Sequence, residues 1–122
     1  MPHSPPPDAP KNAVLDDQGL QDALNGIHPA FGDLCTRVCG EVWRKPQIDQ
    51  ATKAMITIDI DIVNQGLSPE SPFEAHIRMA LKQGVTFEQI EELTLFTCAY
   101  AGFNKAAPAF VRLGQIKKSI ED

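Results

Sequence analysis

Residues 55–63 read Met55-Ile56-Thr57-Ile58-Asp59-Ile60-Asp61-Ile62-Val63, and the fold class turns on them. Ile56, Ile58, Ile60 and Ile62 alternate with Thr57, Asp59 and Asp61, which is the period of a half-buried strand. Wound as a helix, the same stretch puts Met55, Ile58 and Ile62 on one face. Periodicity alone favours the strand.

The segments on either side read as helices. Upstream, Phe31, Leu34, Cys35, Val38, Cys39 and Val42 recur as one apolar stripe, the clearest amphipathic pattern in the chain. That helix should stop near Trp43-Arg44, because Pro46 forces the residue before it out of helical geometry. A weaker helix over about 13–26 carries Leu20, Ala23, Leu24 and Ile27 at helical spacing. Between the two, His28 fits an N-cap-like position with Pro29 at the first helical residue. Residues 1–11 hold five of the ten prolines and are expected to form a disordered tail, which leaves 12–122 as a single domain.

Downstream, residues 65–72 have loop composition. Phe73, Ile77, Ala80 and Leu81 define a short helix that Gly84 can end in a left-handed cap. Thr86-x-x-Gln89 is a capping box for the next helix. That helix puts Ile90, Leu93, Thr97, Tyr100 and Ala101 on one face, while Leu95, Phe96 and Cys98 make much of its girth apolar. Such a helix is buried on several sides, in a core or against another subunit. Gly102 ends it, and a last helix over about 105–119 has Ala107, Phe110, Val111 and Gly114 in register.

A chain of 122 residues and 13.4 kDa suits one domain. Its net charge of −5 argues against nucleic acid as a partner. No apolar run approaches the ~20 residues of a membrane span. Three cysteines, an odd count, argue against a disulfide framework and for a reducing, cytoplasmic location.

Two residues stand out for chemistry. Glu41 flanks the apolar stripe of its helix, and His76 sits at the edge of the stripe formed by Phe73, Ala80 and Leu81. Both are boundary positions, partly desolvated and reachable, where a general acid or base belongs. Periodicity alone reads each as a solvated or hydrogen-bonded surface residue. Cys35 and Cys39 lack the Cys-x-x-Cys spacing of a redox helix and read as packing residues, as does Cys98. Asp59 and Asp61 lie about 200° apart on a helix. With no second His and no carboxylate one turn away, no metal site is expected, and a solvated or ion-paired role fits both.

Three motifs, in order and spacing, resemble the carboxymuconolactone decarboxylase family. Cys39-Gly40-Glu41-Val42-Trp43-Arg44-Lys45-Pro46-Gln47-Ile48-Asp49 is similar to the family's G-E-V-W-x-R-P-G-L-D, with Thr52-Lys53 where a T-R follows. Glu74 to Thr86 is similar to E-L-x-x-H-x-x-x-A-L-x-x-G-x-T, and Tyr100-Ala101-Gly102 to Y-A-G. The likeness runs from about His28 to Leu113. It implies an all-α, alkylhydroperoxidase D-like helical domain that assembles as a homotrimer or homohexamer, and so a helix rather than a strand at 55–63.

The family's peroxidase branch places a Cys-x-x-Cys ahead of the histidine. The matching positions here are Pro69 and Pro72, which excludes that chemistry. The resemblance therefore implies a cofactor-independent lyase, with no metal, acting on a small carboxylated lactone or unsaturated acid. On that reading His76 is the general acid and Glu41 orients it or relays its proton. Lys45 or Arg44, with Lys53 or Arg78, hold the substrate carboxylate, and Trp43 and Tyr100 are pocket walls. The chain departs from the family at Lys45 and Lys53, where arginines are usual, at Gln47 and Asn104, and at Asp59 and Asp61, where apolar residues are usual. These departures leave two alternatives, a divergent isomerase or a catalytically silent oligomeric binding protein of the same fold.

Overall fold

Residues 55–63 are helical. In the computed structural model, which describes residues 5–122, they lie within one of six helices: α1 (Gln18–Ile27), α2 (Pro29–Trp43), α3 (Gln50–Asn64), α4 (Phe73–Lys82), α5 (Phe87–Ala101) and α6 (Phe103–Glu121). There is no strand among the described residues. The strand-like alternation has a physical origin. Ala51, Ala54, Ile58 and Ile62 form the buried stripe of α3, while Ile56, Ile60 and Val63 form a second apolar ridge on its exposed side. Two apolar faces on one helix produce the same letters as a strand.

α3 is the centre of the fold and packs against α4, α5 and α6, while α5 and α6 form a hairpin. Phe73, Ile58, Ile62, Ile77, Ile90 and Ile116 are the largest apolar side chains sealed in this core. The capping box forms as expected: Thr86 Oγ1 accepts from Gln89 N–H at 3.1 Å, and Gln89 Oε1 accepts from Thr86 N–H at 2.9 Å. Gly84 takes the left-handed conformation after α4 (φ 86°).

One register differs from the sequence reading. α6 buries Ala106, Ala109, Leu113 and Ile116, so Ala107, Val111 and Gly114 face outward. α5 turns Ile90 and Thr97 inward, with Leu93 against the core, and leaves Tyr100 exposed.

α1 and α2 pack chiefly on each other. His28 joins them: its Nδ1 accepts from Ala30 N–H at 3.2 Å and Phe31 N–H at 3.3 Å. Gly32 is required at their crossing, because a Cβ there would lie 2.6 Å from the Asn25 backbone nitrogen. The α2 stripe inferred from sequence is real, but it is not core. Phe31, Leu34, Val38 and Val42 are all exposed, and α2 buries only Gly32, Gly40 and Trp43.

The N-terminal segment also departs from expectation. Residues 5–11 of the tail read as disordered follow a defined course, and residues 1–4 lie outside the described residues. Pro10 O accepts from Gln83 Nε2 at 2.8 Å. Asn12, Ala13 and Val14 are buried, with Asn12 Nδ2 donating to Gly40 O at 3.2 Å and Ala13 N–H to Gln50 Oε1 at 2.7 Å. Proline-rich chain needs few intrachain hydrogen bonds, so anchors beyond it suffice to hold it in place.

Asp17 caps α1 and accepts from Lys82 Nζ at 2.7 Å, tying α1 to α4. Burial pushes its carboxyl upward, but the Lys82 hydrogen bond and charge, with the Leu20 and Gly19 N–H groups, outweigh that and hold it below the ordinary carboxylate value. A folded-state pKa below the unfolded one stabilises the fold above the unfolded value and is lost as pH falls through the folded one. Asp17→Asn keeps a good cap and removes the charge. The variant should melt lower at neutral pH and show a flatter loss of melting temperature below about pH 4. Parallel acid limbs in calorimetry of both proteins would refute this.

Candidate active site

Phe73, Ile77 and Ala80 anchor α4 in the core, which leaves His76 at the rim. Ile58 and Ile62 do the same for α3 and leave Asp61 at its rim. The two rims meet. His76 Nδ1 and Asp61 Oδ2 are 2.5 Å apart, with side chains 22% and 14% exposed. An ionised carboxylate only accepts, so Nδ1 carries the proton in this bond and Nε2 is the nitrogen free to exchange one. A carboxylate behind an imidazole fixes its tautomer and stabilises its protonated form.

Asp59 leaves the other side of α3 and accepts a short hydrogen bond from the Thr97 hydroxyl of α5, which also lies 2.8 Å from Leu93 O. The two aspartates thus bind α3 to α4 and to α5. Between them the exposed ridge of Ile56, Ile60 and Val63 runs along α3. At its upstream end Val42, Trp43, Lys53, Ile56 and Thr57 line a cleft of about 260 Å³ between α2 and α3. Thr57 is one helical turn, about 6 Å, before Asp61.

Glu41, expected beside His76, is elsewhere. It is exposed at the end of α2, paired with Arg44 and with Lys45 at 3.4 Å. The hydrogen bonds from Arg44 and Lys45, with their charges, hold its carboxyl below the ordinary value. The end of α2 meets the first turn of α3, where Gln50 Nε2 donates to Trp43 O at 2.7 Å. Asp61 lies about 15 Å further along α3 than that turn. Within one chain the residue that orients His76 is Asp61.

The cations are dispersed. Lys53 Nζ donates to the carbonyls of Val42 (3.3 Å), Trp43 (2.8 Å) and Lys45 (2.7 Å), so its three protons close the C-terminus of α2. Arg78 points away from His76, pairs with Glu74 at 3.1 Å and borders a groove beside α1. Arg44 and Lys45 border a different cavity, at the N-terminal end of α3. Trp43 lines the α2–α3 cleft. Tyr100 is 82% exposed with its ring against Phe96, 5.1 Å between centroids, and lines none of the cavities described above. Among the described residues no three His, Cys, Asp or Glu side chains are grouped to hold a metal. Burial, and then the charge of Cys35, raise the Cys39 thiol above its ordinary value, which disfavours the reactive thiolate. No described helix is long and apolar enough to cross a membrane.

Asp61 was visible in the sequence as an acid in an apolar helix. The signal that could have assigned it is its place one step off the Ile58–Ile62 stripe, which turns it toward a neighbouring helix with a rim histidine.

Comparison with known proteins agrees with this architecture. The chain is 28% identical over 98 residues to the 4-carboxymuconolactone decarboxylase of Acinetobacter baylyi (strain ATCC 33305 / BD413 / ADP1), a match covering 80% of this chain and 71% of that protein. No solved structure matches it. Residues 29–114, from the start of α2 through most of α6, match the sequence pattern of the carboxymuconolactone decarboxylase family, and the chain belongs to that family.

Proposed function

We propose that the protein is a cofactor-independent lyase that decarboxylates a small carboxylated lactone or unsaturated acid. The observation that carries this reading is the His76–Asp61 pair, at 2.5 Å, one turn from an apolar cleft. Loss of carbon dioxide from a vinylogous acid leaves its electron pair in a dienolate. That anion must take a proton on carbon, and the reaction consumes one proton overall. Protonated His76 delivers it from Nε2, Asp61 stabilises the imidazolium, and water restores the proton. Trp43, Ile56 and Thr57 hold the apolar body of the substrate. Lys53, at the same cleft, contributes positive charge rather than a free donor.

Assembly belongs to the same proposal. The exposed α2 stripe, and Leu95, Phe96, Tyr100 and Phe103 around the α5–α6 turn, support a homotrimer or homohexamer in which these faces meet other copies. Val42 of the α2 stripe also lines the cleft, which such a contact would shelter from water.

The direct test is carbon dioxide release from 4-carboxymuconolactone by the purified protein. Release sensitive to Asp61→Asn supports the proposal. That variant should lose about 10²-fold in kcat, since a group that positions a general acid contributes on this scale. Its KM should change far less than its kcat, with little change in melting temperature. Absence of carbon dioxide, with the lactone instead rearranged, would make the protein an isomerase using the same pair. Binding without any turnover would make it a silent member of the family.

A further inference from the structure

Of the residues that line the cleft between α2 and α3, Trp43, Lys53 and Thr57 carry side-chain protons that can be donated. Two of these groups are committed inside the chain. Lys53 Nζ gives its protons to the carbonyls of Val42, Trp43 and Lys45, and Thr57 Oγ1 donates to Lys53 O at 2.8 Å. The third is the indole N–H of Trp43, which has no hydrogen-bond partner among the described residues. No described side-chain nitrogen or oxygen is sealed away without a partner, so Nε1 lies in the 8% of Trp43 that stays exposed. Of the cavities described above, this cleft is the one that Trp43 lines. Burial of the ring fixes it in place, and Gln50 and Lys53 hold its backbone carbonyl at 2.7 and 2.8 Å.

We propose that Trp43 Nε1–H is the oxyanion donor of this site and hydrogen-bonds the lactone carbonyl oxygen of the substrate. The proposal rests on the decarboxylase reading above and makes Trp43 a catalytic residue as well as a wall. When the bond from the ring carbon to the departing carboxyl breaks, its electron pair passes through the conjugated ring onto that oxygen. The indole donates a hydrogen bond to the oxygen and keeps its own proton, since an indole N–H is a donor only. The proton that completes the reaction goes to carbon from His76. A neutral donor suits this task. Its hydrogen bond strengthens as the oxygen turns anionic, so it favours the dienolate over the bound lactone. Fixed in advance in a nearly sealed ring, it needs no reorganisation when the charge develops.

Trp43 is the only tryptophan in the chain, so production of the full-length protein on benzothienylalanine replaces it alone, with sulfur in place of the N–H and the ring shape kept. The kcat for carbon dioxide release from 4-carboxymuconolactone should fall about 10²-fold, the loss on removing one oxyanion donor. KM should change far less, and the melting temperature should hold. The lone indole N–H signal in a proton–nitrogen correlation spectrum gives a readout free of turnover. Titration with muconolactone, which keeps the lactone and lacks the departing carboxyl, should move it downfield in the parent and in His76→Gln alike. Parental kcat in the benzothienyl protein, or an indole signal unmoved by millimolar muconolactone, would overturn the proposal. An indole signal that moves in a protein releasing no carbon dioxide would keep Trp43 as the donor to the carbonyl and sink the lyase reading instead.

Discussion

His76→Gln should lower turnover of a carboxymuconolactone-type substrate by about 10²–10⁴-fold, the range contributed by a positioned general acid. The glutamine amide can still donate to Asp61, so the link between α3 and α4 survives and the melting temperature should hold. What disappears is a group able to carry a proton near neutral pH. The KM should change far less than kcat, because Nε2 acts on charge that develops only as carbon dioxide departs. Undiminished kcat in this variant would remove His76 from the chemistry. A fall in kcat with a matching loss of folded protein would show that the pair is only a strut.

The second large effect is expected on assembly. Leu34 and Val38 lie mid-stripe on α2, 51% and 54% exposed in the single chain. Leu34→Glu with Val38→Glu should convert the oligomer to monomers under dilute conditions. A charge buried without a partner costs several kcal/mol, and about 3 kcal/mol already weakens association more than a hundredfold. Light scattering coupled to size exclusion measures this directly. A parent protein already running as a monomer, or a double variant of unchanged mass, would contradict the proposed role of the stripe. Activity should fall with the mass if contact between copies shelters the cleft.

The helices were legible where local chemistry decides them. The capping box at Thr86 and Gln89, the His28-Pro29 junction and the stop at Gly84 all depend on neighbours within a few residues, and all form. What misled was the meaning of an apolar stripe. In α2 the conspicuous stripe faces outward, and the core takes Gly32, Gly40 and Trp43 instead. Periodicity reports that a face is apolar and not which neighbour covers it. The residue behind His76 was hidden for a related reason. Glu41 and Asp61 are both rim acids, and only the packing of α4 on α3 decides which one meets the imidazole.

Lys53 occupies a position where the family resemblance leads one to expect arginine. Its ammonium is tetrahedral and directs three protons to three backbone oxygens that converge from the end of one helix and the bend that follows. A flat guanidinium presents its hydrogens in a single plane and could not meet the same trio. Lysine here is therefore a splice between α2 and α3, and converting it to the more familiar residue would leave the junction to Gln50 and its bond to the Trp43 carbonyl.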